Sequence, residues 1–115
     1  MSTSIYHNPR CSKSRQTLQL LTDKGIPFEI VEYLSNPPSA DTLRKILAML
    51  NIGPRDLMRK NESVYKELEL GADDLTDEQL IAAMLKHPIL IERPIVINDD
   101  QARIGRPPEN VLEIL

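Results

Sequence analysis

Residues 3–33, TSIYHNPRCSKSRQTLQLLTDKGIPFEIVEY, decide the fold. Thr3–His7 predicts a short strand, which the turn signal Asn8-Pro9 ends. Thr17, Leu18 and Leu21 recur at helical spacing and predict a helix over Ser12–Lys24, with Gly25 stopping it just past its C-terminus. Phe28–Tyr33 places Phe28 and Ile30 on one face and Val31 and Tyr33 on the other, which predicts a second strand. Two strands separated by one helix are expected to run parallel.

Asn36-Pro37-Pro38 is a loop. Ser39 then N-caps a helix whose stripe is Leu43, Ile46, Leu47 and Leu50. Gly53-Pro54 breaks that helix, Arg55–Met58 predicts a short helical turn, and Ser63–Leu70 predicts a further helix ending at Gly71. Thr76-Asp77-Glu78-Gln79 is a capping box that opens a helix with Leu80, Ile81, Met84 and Leu85 inward, and His87-Pro88 closes it. Ile95–Asn98 and Ala102–Ile104 flank Asp99-Asp100-Gln101 as a β-hairpin. Pro107-Pro108 starts a last short helix with Val111, Leu112 and Leu115 facing in. The simplest packing is an α/β fold, a mixed four-stranded sheet flanked by helices. That layout is thioredoxin-like with a helical insertion, and the 115 residues make one domain, 1–115.

Composition excludes several classes. Aromatic residues are only 3%, namely Phe28 and the tyrosines 6, 33 and 65, so no platform for stacking nucleobases is expected. The apolar runs are short, so no membrane span is expected, and the N-terminus has no signal-peptide core. The expectation is a cytoplasmic protein. The net charge of −3 gives no general affinity for nucleic acid. Its distribution tells more. The first 22 residues hold Arg10, Lys13 and Arg15 and no acid, whereas the other 93 carry eleven bases against seventeen acids.

Cys11, the only cysteine, lies in that basic block at the mouth of a helix. One cysteine allows no internal disulfide, and with His7 and His87 it does not match zinc spacing, so no metal is expected. Unpartnered amides of a first helical turn carry partial positive charge and favour an anion such as a thiolate. A free thiol with a pKa near ~8.5 is roughly 3% ionised at pH 7. Helix N-termini and cations bring it to about 3.5–7.5. Arg10, Lys13 and Arg15 are close in sequence, and a protonated His7 would add to them. Many free cysteines are simply buried small hydrophobes; Cys11, between Arg10 and Ser12 and off any apolar stripe, does not fit that description. Ser14 makes the motif C-x-x-S, so an outside thiol must resolve any adduct on Cys11. An arginine taken alone is usually a solvated surface charge. Arg93, directly before one strand, and Arg106, directly after another, could nevertheless approach the first loop, and guanidinium forks suit tetrahedral oxyanions. Pro94 raises the question of a cis peptide near the site. His87 ends a helix and favours its negative pole.

Four segments, taken together, carry a family resemblance. Residues 6–15, Tyr-His-Asn-Pro-Arg-Cys-Ser-Lys-Ser-Arg, resemble the active-site loop of the glutaredoxin-dependent arsenate reductases, the ArsC-like family. Leu57-Met58-Arg59-Lys60-Asn61, residues 87–95 (HPILIERPI) and Arg103-Ile104-Gly105-Arg106-Pro107 resemble its later signatures, in the family's order. The resemblance implies a thioredoxin-like fold and reduction of arsenate to arsenite. It implies Cys11 as the nucleophile that forms a covalent arsenate adduct, and His7 as the histidine lowering the thiol pKa. Arg59, Arg93 and Arg106 become the arginines around the oxyanion. It implies glutathione as co-substrate and glutaredoxin as partner, with no bound cofactor; NADPH would act only through the coupled reductants. Some members carry a Cys where Gly105 stands, and the detoxifying members have a longer C-terminal tail. Two other readings stay open: an Spx-like regulator that binds RNA polymerase, and a glutathione mixed-disulfide oxidoreductase without an oxyanion substrate.

Overall fold

The computed structural model describes residues 2–115. They form two compact units: the segment up to Asn36 together with Arg93–Leu115, and Pro37–Glu92.

The first unit holds β1 (Thr3–Tyr6), α1 (Ser12–Asp23), β2 (Glu29–Val31), β3 (Ile95–Asn98) and β4 (Gln101–Ile104). The sheet order is β2-β1-β3-β4. β1 and β2 pair in parallel, with Ile5 opposite Ile30, whereas β1 with β3 and β3 with β4 pair antiparallel. The expected mixed four-stranded sheet is therefore present, with its strand directions as read. Ile5 and Val96 are register partners on one face, and they form a core with Leu21, Val111 and Ile114, flanked by Leu18, Phe28 and Leu115. Each such buried aliphatic side chain removes apolar area worth about 1.5–3 kcal/mol.

α1 ends as the sequence demands. Gly25 takes a left-handed φ of 68°, a conformation that a Cβ would strain, and its amide bonds the Thr22 carbonyl. Between β3 and β4 Asp99 takes a φ of 57°, and its carboxylate accepts from the Ser2 amide at 2.9 Å.

The C-terminal segment is a helix, but a 3₁₀ one, over Pro108–Ile114. This corrects one expectation. Leu112 is 38% exposed, and Ile114 is buried in its place. A 3₁₀ helix repeats every three residues, so Pro108, Val111 and Ile114 share the inner face; an α-helical spacing would have turned Leu112 inward.

The second unit is helical. α2 (Ala40–Leu50) buries Leu43, Ile46 and Leu47, and the Ser39 hydroxyl caps it by accepting from the Thr42 amide at 3.1 Å. A 3₁₀ turn over Pro54–Leu57 and the short α3 (Ser63–Glu67) follow. α4 (Asp77–Lys86) opens on the expected capping box: Gln79 N–H donates to Thr76 Oγ1 at 3.2 Å, and Thr76 N–H donates to Gln79 Oε1 at 2.8 Å. It packs against α2, against the Pro54–Leu57 turn and against a second 3₁₀ turn, Pro88–Leu90. Met58 and Ile91 close an antiparallel bridge.

Candidate active site

The loop after β1 is built from its own backbone. The Asn8 side chain accepts from the Arg10 amide at 3.0 Å, and the Asn8 carbonyl accepts from the Cys11 amide at 3.0 Å. An Asn side chain that mimics a turn in this way fixes a tight loop. Arg15 holds it from outside, donating through Nη1 to the Pro9 carbonyl at 2.9 Å. Cys11 is thereby set at the N-cap of α1 with extended dihedrals, and its carbonyl accepts from the Arg15 amide.

Cys11 is only 8% exposed, yet its surroundings are not those of an oily interior. Arg106 Nη2 lies 3.9 Å from the sulfur, and the same guanidinium donates through Nε to the Arg93 carbonyl at 3.1 Å. The sulfur makes no capping hydrogen bond, but the amides of α1 still act on it. Burial is the largest influence and raises the thiol pKa; the Ser14 amide, Arg93, the Lys13 amide and Arg106 each lower it. The lowering influences together prevail, so the thiol ionises below its ordinary range.

Behind the sulfur lies a polar pair that sequence reading undervalues. Ser14 is fully buried on the inner face of α1, with Thr17 and Leu21. Its hydroxyl pairs with His7 Nδ1 at 2.6 Å and accepts from the Asn8 amide at 3.0 Å. The spacing 14, 17, 21 is that of one helix face, which is the signal that could have placed Ser14 inside. His7 is itself buried, and burial foremost lowers its pKa, with Arg15 acting the same way against an opposing pull from Glu32. The ring is therefore biased toward its neutral form.

Of the five residues expected at the site besides Pro94, the structure gathers four in the first unit: His7, Cys11, Arg93 and Arg106. Arg59 belongs to the second unit. There it pairs with Glu62 at 2.8 Å and donates its backbone amide to the Leu90 carbonyl at 2.7 Å. The Arg93–Pro94 peptide is cis, and so is Arg106–Pro107, which sequence reading does not single out. Among the described residues no group of three or more His, Cys, Asp or Glu is placed to hold a metal ion, and no helix is long and apolar enough to cross a membrane.

Residues 6–114 match the ArsC family. The chain belongs to the ArsC family. Its ArsC relatives include an arsenate reductase of Haemophilus influenzae, 53% identical over 116 residues and covering all of both chains. They also include the uncharacterized protein YfgD of Escherichia coli K12, 55% identical over 112 residues, 96% of this chain and 94% of that protein. Among solved structures, an arsenate reductase from Vibrio cholerae superposes with a TM-score of 0.97 at 53% identity, covering 100% of this chain and 98% of that one. The ArsC fold and a thiol close to a guanidinium thus occur together in this chain.

Proposed function

We propose that this chain reduces arsenate to arsenite, with Cys11 as nucleophile and with glutathione and glutaredoxin as the source of electrons. The observation that carries the reading is the Arg106 guanidinium 3.9 Å from a thiol whose pKa is lowered. Arsenate is an anion near neutral pH, and thiolate attack on it brings like charges together. Guanidinium groups and helix amides offset that repulsion, and they gain strength as charge develops in the transition state. Full-length relatives described as arsenate reductases support the substrate assignment.

The steps balance as follows. The Cys11 thiolate displaces one oxygen of arsenate, which leaves as water after protonation, and an S–As bond forms. Glutathione then displaces a second oxygen from the bound arsenic; that oxygen leaves as water, and a second S–As bond forms. A glutaredoxin thiolate attacks the glutathione sulfur; that S–As bond breaks, its electron pair reduces arsenic from the pentavalent to the trivalent state, and the glutathione leaves as a mixed disulfide with glutaredoxin. Water finally hydrolyses the Cys11 S–As bond, which releases arsenite and regenerates the thiol. Overall, arsenate and two thiols give arsenite, one disulfide and water, with arsenic gaining two electrons. Cys11 is the only cysteine, so both electron-donating thiols come from outside the chain. In this scheme Arg93 and Arg106 hold the oxyanion. Arg59 is assigned a role by its motif position alone, and His7 holds Ser14, whose amide is among those that lower the thiol pKa.

An assay coupling NADPH, glutathione reductase, glutathione and glutaredoxin tests the proposal. NADPH consumption is expected to depend on arsenate and to fall to background without glutaredoxin. Turnover of a glutathionylated peptide, with arsenate inert, would instead assign the site to mixed-disulfide chemistry.

A further inference from the structure

The loop that carries Cys11 has two flanks of different chemistry. β1 lies between β2 and β3 in the sheet. β2 runs parallel to β1, so its C-terminal end and the segment after it reach the same end of the sheet as the loop. β3 runs antiparallel and starts there, directly after Arg93 and Pro94, and β4 ends there, directly before Gly105 and Arg106. Arg106 holds that flank, between the Arg93 carbonyl and the Cys11 sulfur. On the other flank the His7 amide donates to the Val31 carbonyl at 2.9 Å, which ties the loop to the end of β2.

A pocket of about 220 Å³ opens on this second flank. Asn8, Pro9 and Arg10 line it from the loop, and Glu32, Leu34 and Ser35 line it from the segment after β2. Its makeup is unlike that of the arginine flank. It has one base and one acid, both exposed, together with an exposed apolar side chain, Leu34, at 42%. The Glu32 carboxylate repels a free oxyanion. A base and an acid lining one cavity suit a zwitterion instead, with an apolar stretch between its charges.

Glutathione has that chemistry. It is a tripeptide with two carboxylates, one ammonium group and a thiol on its central residue. An extended peptide of that length spans roughly 10 Å. Arg10 is the residue next to Cys11, so a carboxylate held by Arg10 leaves the thiol within reach of a group bonded to the Cys11 sulfur.

We propose that this cleft is the glutathione subsite, in which Arg10 pairs with a carboxylate, Glu32 pairs with the ammonium group and Leu34 packs on the peptide between them. The proposal rests on the arsenate reading above, which requires an outside thiol at Cys11. The oxyanion and the thiol then enter from different flanks of one sulfur, and neither displaces the other.

In the coupled assay, at saturating arsenate and glutaredoxin, Arg10→Glu is expected to raise the KM for glutathione about tenfold, because repulsion replaces attraction. Glu32→Gln is expected to raise it about two- to fivefold, the range for one exposed ion pair. The KM for arsenate should stay unchanged in both. So should the pH midpoint of Cys11 alkylation by iodoacetamide, since neither residue is among the groups that shift the thiol pKa. An unchanged glutathione KM in Arg10→Glu, or an equal rise in the arsenate KM, would overturn the proposal. S-methylglutathione, which has no free thiol and needs no arsenate, separates the proposal from the reading it rests on. Titrated into the isotope-labelled protein, it should shift the NMR signals of the Arg10, Glu32 and Ser35 amides, whereas inorganic phosphate should not. Shifts confined to other residues, or equal shifts with phosphate, refute the subsite. If the wild-type protein shows no arsenate turnover, the arsenate reading fails while the titration still decides this one.

Discussion

Cys11→Ser is expected to reduce arsenate-dependent NADPH consumption to background. The change is nearly isosteric, so the loop built by Asn8 and clamped by Arg15 should persist, and circular dichroism should be unchanged. The chemistry cannot survive it. A thiol near helix amides and guanidiniums ionises below its ordinary range, whereas an aliphatic hydroxyl in the same field stays protonated and is a weak nucleophile. No other cysteine is available to substitute for it. Turnover retained in folded Cys11→Ser would remove the covalent adduct from the scheme.

The second large effect is expected at the arginines. Arg93→Ala and Arg106→Ala should each lower kcat/KM for arsenate by about 10²–10³, the loss typical of one preorganised donor to a developing charge. Arg106 should be the more sensitive to a lysine replacement. Its guanidinium spans two partners, the Arg93 carbonyl through Nε and the Cys11 sulfur through Nη2, and a single ammonium cannot reproduce that fork. Steady-state kinetics with arsenate varied at saturating glutathione measures both effects. A lysine variant of Arg106 with wild-type kcat/KM would show that charge alone matters there.

Much of this arrangement was legible in the residues. Gly25, the Thr76–Gln79 capping box and the Ser39 cap are local devices, and each acts where the sequence places it. The parallel β1–β2 and antiparallel β3–β4 pairings also followed from the connections between those strands, whereas the antiparallel β1–β3 pairing that joins them did not. β2 came out shorter than the alternating stretch Phe28–Tyr33, covering only Glu29–Val31. It is an edge strand, paired with β1 on one side alone, and less holds its ends in register.

What stayed hidden was tertiary. Nothing local distinguishes the 3₁₀ repeat of Pro108–Ile114 from an α-helical one; its packing on α1 and β4 decides which residues turn inward. The same holds for Ser14, whose partner His7 comes from the neighbouring strand end. Arg59 is a contrasting case. Its motif position marks it, but its observed partners include Glu62 and the Ile89 and Leu90 carbonyls within the helical unit, so the proposal that it meets the oxyanion rests on the family pattern.

The central claim is that the Cys11 sulfur is ionised by the charges arranged around it, and thiolate absorbance in the ultraviolet as a function of pH tests it most directly. The group is an acid whose folded pKa is depressed, so its charged form favours the folded protein. That stabilisation is present above the unfolded thiol pKa of about 8.5 and is lost as the pH falls through the folded midpoint. The account predicts a wild-type midpoint below the value in the denatured chain, raised by Arg106→Ala and by Arg93→Ala. A midpoint at or above the denatured value, unmoved by either substitution, would contradict it.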